Sequence, residues 1–137
     1  MSTQYTKADA AKAIPTLRRF MSEAQISALG DACYGEERHY FINKIVELAE
    51  HLDTMPKTYE QDGKGDEAVV HLHYFRGGMD WYITEKDMEE EQNQAFGLAD
   101  LGYGGELGYI SIQELIDNGV ELDLYWEPKT LAEVKAA

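Results

Sequence analysis

Apolar positions along this chain change their period near residue 55. Before it they recur at helical spacing. Ala10, Ala11, Ala13, Ile14, Leu17 and Phe20 trace one face over Thr6–Met21, where Pro15 predicts a break or a restart. Ser22 followed by Gln25 reads as a capping box that opens a second helix running to about Tyr34, with Gly35 as its stop. Phe41, Ile45, Leu48 and Leu52, flanked by Ile42, Val46 and Ala49, predict a third and stronger helix over Glu36–Leu52, with Glu36 and Glu37 in its first turn. Residues 1–5 are expected to fray, and Met55-Pro56 closes the helical part.

After Pro56 the period falls to two. Lys57–Glu67 is a polar loop with Asp62-Gly63 as a turn signal; its GKG lacks the spacing and trailing Ser/Thr of a phosphate-binding loop. Ala68–Phe75 alternates as a strand, with Val70, Leu72 and Tyr74 on one face. Arg76-Gly77-Gly78 turns it into Met79–Thr84, a hairpin. Glu85–Gln94 reads as an acidic loop too polar to be buried. Ala95–Ala99 and Glu106–Ile112 predict two more strands around the Gly-rich Asp100–Gly105. Ser111 with Glu114 caps a short helix ended by Asn118-Gly119, Val120–Trp126 alternates as a fifth strand, and Thr130 with Glu133 caps a tail helix after Pro128. Helices followed by strands predict an α+β fold, a mostly antiparallel sheet of about five strands with the N-terminal helices packed on one face. At 137 residues the chain is sized for one domain, residues 1–54 being a helical portion and residues 55–137 a sheet-bearing one.

Charge changes this picture most. The chain carries a formal net charge of −14. Residues 59–137 hold five Lys/Arg against eighteen Asp/Glu, whereas residues 1–58 hold seven against eight. A field of that sign repels phosphate backbones and predicts no direct nucleic-acid binding; it favours basic, nucleic-acid-binding proteins as partners, or serves solubility. No segment spans a membrane, no secretory signal opens the sequence, and the single cysteine, Cys33, forms no internal disulfide, so a cytoplasmic location is expected. A lone Cys at a helical position is expected to be a small core residue. Nothing in the pattern fixes an oligomeric state.

Candidate chemistry is sparse. His71 and His73 stand at i and i+2 on one strand, the spacing of two metal ligands, with Asp80 or Glu85 as a third; this is the divalent-metal alternative, a hydrolase. Glu85, Asp100 and Glu106 could supply an acid–base pair. No Ser-His-Asp, Cys-His or HExxH pattern accompanies them, so the expectation is a non-enzymatic protein without a cofactor. Partner contact is expected from Glu85, Asp87, Glu89, Glu90 and Glu91 in the acidic loop, and from Asp100, Tyr103 and Glu106 in the Gly-rich one. The sheet aromatics Tyr74, Trp81, Tyr82, Tyr103, Tyr109, Tyr125 and Trp126 are core where buried and binding groups where exposed.

The runs Met55–Phe75, Asp80–Glu85, Gln94–Ile112 and Glu121–Val134 together resemble a domain family of unknown function found mainly on bacterial plasmids, integrated elements and phages, often beside antirestriction genes. The helical portion before them resembles the longer members of that family. The resemblance implies no catalytic residue or cofactor. It implies genomic company, and with the charge it gives the expectation of an acidic inhibitor, possibly a DNA mimic, of a host restriction or CRISPR system. A module binding through sheet aromatics and the Gly-rich loop is the alternative.

Overall fold

The computed structural model describes residues 4–137, so the fraying expected of residues 1–3 lies outside them. Chain contacts divide the molecule into two compact units that meet in sequence at Thr54 and Met55.

The first unit is three helices, α1 (Lys7–Arg18), α2 (Glu23–Ala32) and α3 (Arg38–Thr54). Thr6 opens α1 with a full capping box: its hydroxyl accepts the Asp9 N–H at 3.2 Å and the Asp9 carboxylate accepts the Thr6 N–H at 2.8 Å. Those two bonds hold the Asp9 carboxyl below its usual range. Pro15 does not break α1, contrary to expectation. A proline removes one backbone bond, and α1 ends three residues later. Ala10, Ala13 and Leu17 meanwhile bury its face against α3, and packing of that kind outweighs one lost bond. Tyr5 is tied rather than frayed, its N–H to Asn43 Oδ1 at 3.0 Å and its hydroxyl to Glu50. Glu36 and Glu37 precede α3 instead of forming its first turn. The buried stripe of α3 is Ile42, Ile45, Val46, Ala49 and Leu52, with Phe41 and Leu48 at its margins. Cys33 is buried, and that burial pushes its thiol up, as suits a small core residue rather than a nucleophile.

The second unit is built on a sheet. Its strands are β1 (Val69–Val70), β2 (Leu72–Arg76), β3 (Met79–Glu85), β4 (Ala95–Asp100), β5 (Gly105–Ile110), β6 (Glu121–Leu122) and β7 (Lys129–Thr130). α4 (Ile112–Asp117) precedes β6, and α5 (Leu131–Ala136) follows β7. Five strands form one antiparallel sheet in the order β5-β4-β3-β2-β6, while β1 pairs with β7. The fold is therefore α+β.

Two of the expected strands are cut short. The strand over Ala68–Phe75 breaks at His71, whose N–H turns to the Ile83 carbonyl at 2.8 Å. The fifth strand ends at Leu122. Asp123 then uses its carboxylate to accept the Tyr125 N–H at 3.0 Å, an Asx turn that competes with extended pairing. Gly77-Gly78 makes the two-residue β2–β3 turn, with Gly77 at φ +57°.

The loops hold the largest surprise. Glu85, Lys86, Asp87 and Gln92 are buried, so Glu85–Gln94 is not the solvated loop its composition predicts. Polar side chains can be buried where every group finds a partner. Asp87 does so by accepting the N–H groups of Glu89, Asn93 and Gln94 at 3.1, 3.0 and 2.9 Å. Gln92 accepts the Asp87 N–H at 2.9 Å and donates to the Glu89 carbonyl at 2.9 Å. The 57–67 loop is anchored in the same manner. The Gln61 amide donates to the carbonyls of Val69 and Thr84 at 2.9 and 2.7 Å and accepts the Val69 N–H at 2.7 Å.

Candidate functional site

The sheet places residues on two faces, and a single irregularity decides what one of them carries. His73, Tyr82, Leu98 and Leu107 are register partners and share a face; Leu72, Ile83, Gly97 and Gly108 share the other. After Ile83 the pairing slips, so that Ile83 faces Gly97 while Glu85 faces Phe96. Thr84 is the extra residue of a β-bulge, and the slip brings Glu85 onto the face of Phe96 and Tyr109. Gly97 makes room for it. A Cβ there would stand 2.0 Å from the Tyr82 carbonyl oxygen.

On that face lies a cleft of about 400 Å³. Phe96, Leu107, Tyr109 and Leu131 wall it, the 58–65 loop closes one side, and Thr84 and Glu85 line it from β3. Glu85 is 5% exposed, and its Oε2 accepts the Gln61 N–H at 3.3 Å. Tyr59 and Tyr109 join hydroxyl to hydroxyl beside it. That bond first, then desolvation and the charges of Tyr59 and Glu85, hold the Tyr109 phenol above its usual range. Tyr59 adopts φ +77°, a backbone region costly to a bulky side chain and one found where surrounding structure enforces it. Phe96 and Tyr109 meet edge to face, centroids 5.8 Å apart at 84°.

A second cluster surrounds His73. Its Nε2 lies 2.8 Å from Asp80 Oδ1 and its Nδ1 lies 2.9 Å from Asp123 Oδ2. Tyr82 stacks on the ring at 4.9 Å and Trp126 tilts over it at 5.1 Å. Both nitrogens donate at once only in the doubly protonated ring. The arrangement ties β2, β3 and the turn after β6 together. It also occupies both atoms through which His73 would join His71 at a metal, and among the described residues no group of three or more His, Cys, Asp or Glu is arranged to hold one. His71 sits half-buried at the β1–β2 break.

The other candidate residues fall in three places. Asp87 lies inside the loop it organises, whereas Glu89, Glu90 and Glu91 are exposed on that loop. Asp100 is half-buried and accepts the Gly102 N–H at 2.9 Å at the base of the β4–β5 hairpin. Tyr103 at the hairpin tip is 98% exposed, and Glu106 is exposed on β5, an edge strand. Only Glu85 among them enters the cleft. Tyr59 and Phe96 were not singled out by sequence, and Tyr109 only as one sheet aromatic among several. The available signal was the acid ending an alternating strand, and the slip that turns it inward is set by pairing.

No helix among the described residues is long and apolar enough to cross a membrane. A family model described as a protein of unknown function (DUF2958) matches residues 44–133, from within α3 to within α5 and including all seven strands. No curated protein and no solved structure matches the chain.

Proposed function

The chain belongs to the DUF2958 family of unknown function, and from that premise we propose that its sheet-bearing unit is a non-enzymatic binding module for a basic, nucleic-acid-binding protein. The carrying observation is the β4–β5 hairpin. Tyr103 stands 98% exposed at its tip, with Leu101 and Leu107 open to water beside it and Asp100 and Glu106 at its base. Large side chains left in water next to acids favour a partner with apolar contacts and positive charge. Glu89, Glu90 and Glu91 stand on a loop held in shape from inside by Asp87 and Gln92, so their carboxylates are presented at low cost in ordering.

In its finer form the proposal is an accessory protein of a mobile element, acting in the cytoplasm. It inhibits a restriction or CRISPR system by placing carboxylates where that partner binds phosphates. The excess of eighteen acids over five basic residues in 59–137 supports this, as does the resemblance to sequences carried beside antirestriction genes.

Plating of unmodified phage on restricting and on CRISPR-immune hosts tests the finer form. The chain should raise plating by about tenfold or more. The quadruple variant E89Q/E90Q/E91Q/E106Q should abolish that rise, and Y103A should reduce it. Unchanged plating on every such host refutes the defence role. The broader reading fails if no basic protein is retained by the tagged chain in a manner that weakens between about 50 and about 300 mM salt.

A further inference from the structure

We infer that the cleft beside Tyr59 and Tyr109 is a site for an organic cation, an alkylammonium or guanidinium group held by the Glu85 carboxylate between aromatic walls. This deepens the binding-module reading by naming the group that such a partner would insert, and the same chemistry is also carried by free polyamines.

Hydrogen-bond inventory leads to this class. Most of the donors around the cleft are already spent. The Gln61 amide is committed to Val69 and Thr84, the Thr84 hydroxyl donates to the Phe96 carbonyl at 3.1 Å, and one tyrosine hydroxyl donates to the other. What remains is acceptor capacity beside two neutral donors, the second tyrosine proton and the Thr58 hydroxyl of the lining. Glu85 takes one long bond, 3.3 Å, at Oε2, which leaves Oε1 for an incoming donor. Asp62 adds a second carboxylate in the lining, and none of the described residues there is Lys, Arg or His. An anion would meet two negative charges and nothing to offset them. A purely apolar guest would seal Glu85 Oε1 away from water without a partner, which is also costly. A cation satisfies both constraints. Phe96, Tyr109 and Tyr59 all line the cleft, and aromatic rings attract a cation. A cavity of about 400 Å³ admits a lysine or arginine side chain or one end of a polyamine.

The structure also shows why the site is built rather than incidental. The bulge at Thr84 aims Glu85 onto this face, Gly97 is the residue that permits the bulge, and Tyr59 holds a left-handed backbone angle at the cleft. Three separate local costs converge on one cavity.

Titration calorimetry and NMR of the full chain test the inference with four probes. These are a nine-residue Gly/Ser peptide bearing one Lys, the same peptide with Arg, the same with acetyl-lysine, and spermidine. The Lys or Arg peptide, or spermidine, should bind and shift the ring resonances of Phe96 and Tyr109, while the acetyl-lysine peptide binds at least about tenfold more weakly. Glu85→Gln should weaken cation binding by about tenfold or more. Tyr109→Leu, which removes a wall but leaves Glu85 and its Gln61 bond in place, should weaken it several-fold, and Glu121→Gln, exposed on β6 and outside the cleft, should leave it unchanged. Peptide binding alone assigns the site to a partner's side chain; spermidine binding alone assigns it to a free amine. Equal affinity for acetyl-lysine, an unchanged affinity in both cleft variants, or no binding by any cation overturns the inference. If E85Q also preserves phage plating and partner retention, the cleft is retired and the binding module stands without it.

Discussion

Asp87 offers the sharpest check on how the acidic loop is held. Its carboxylate collects three backbone N–H groups, from Glu89, Asn93 and Gln94, at 2.9 to 3.1 Å. A hydrogen bond to a charged group contributes roughly 1.5–3 kcal/mol, so an additive sum for Asp87→Ala reaches about 4.5–9 kcal/mol. That sum is too high, because Glu89, Asn93 and Gln94 are themselves exposed residues whose amides water can reach once the carboxylate is gone. The expected loss is about 2–4 kcal/mol of local stability, felt first in the loop. Hydrogen exchange reads it directly: the Asn93 and Gln94 amides should exchange about 30- to 700-fold faster in the variant, at about tenfold per 1.4 kcal/mol. Asp87→Asn should recover only part of this, since its NH₂ group would face amide donors. The triple variant E89Q/E90Q/E91Q should stay within about 0.5 kcal/mol of the parent in urea unfolding. Exchange at Asn93 and Gln94 unchanged by Asp87→Ala would refute the idea that a buried carboxylate organises this loop.

Gly97→Ala should cost about 3 kcal/mol or more in urea unfolding, because its Cβ would meet the Tyr82 carbonyl at 2.0 Å; Gly108→Ala, at the cross-strand partner with nothing within 4 Å, should cost under about 1 kcal/mol. Equal losses would refute the clash. Tyr74 is fully buried and desolvation raises its phenol well above 10.0, so the unfolded chain releases that proton first and stability falls as pH rises past 10.0. In Tyr74→Phe the alkaline slope should be shallower by up to about 1.4 kcal/mol per pH unit, and an unchanged slope would refute the assignment. His73→Gln should cost about 2 kcal/mol, since Asp80 and Asp123 are only a quarter to a third exposed and would lose their shared partner. In a D80N/D123N background most of that cost should vanish, and an equal cost in both backgrounds would show that the ring matters only through packing.

Much of the fold is legible in the chain because its signals are local. Thr6, Ser22, Ser111 and Thr130 each cap the helix expected after them, and Gly77-Gly78 makes the expected turn. Readings failed where a polar residue is satisfied from a distance. Gln61 is buried by carbonyls 8 and 23 residues away, and Asp87 by amides beyond its own turn. Composition alone marks both stretches as solvated, since nothing in it shows that every polar atom is matched. The truncated last strand failed for the reverse reason: Asp123 answers its own backbone two residues on and so leaves the alternating pattern. The cleft was legible only in Glu85. Its other walls are contributed by the 58–65 loop, β4, β5 and α5, which only pairing register brings to one cavity.

The slip between Ile83 and Glu85 has a bearing on how such a site can be gained or lost. Substitution changes which side chain a strand offers, but it cannot move an acid from one surface of a sheet to the opposite one. Only a change in length does that. The single additional residue in β3 works as a phase shift: upstream the strand keeps one parity and downstream the other, and the charge in the cleft belongs to the second. A relative without the extra residue presents an acid to Phe96 only from the position directly after Ile83, and one that pairs Thr84 regularly turns the same acid to the opposite face, so spacing rather than identity is what to compare among relatives.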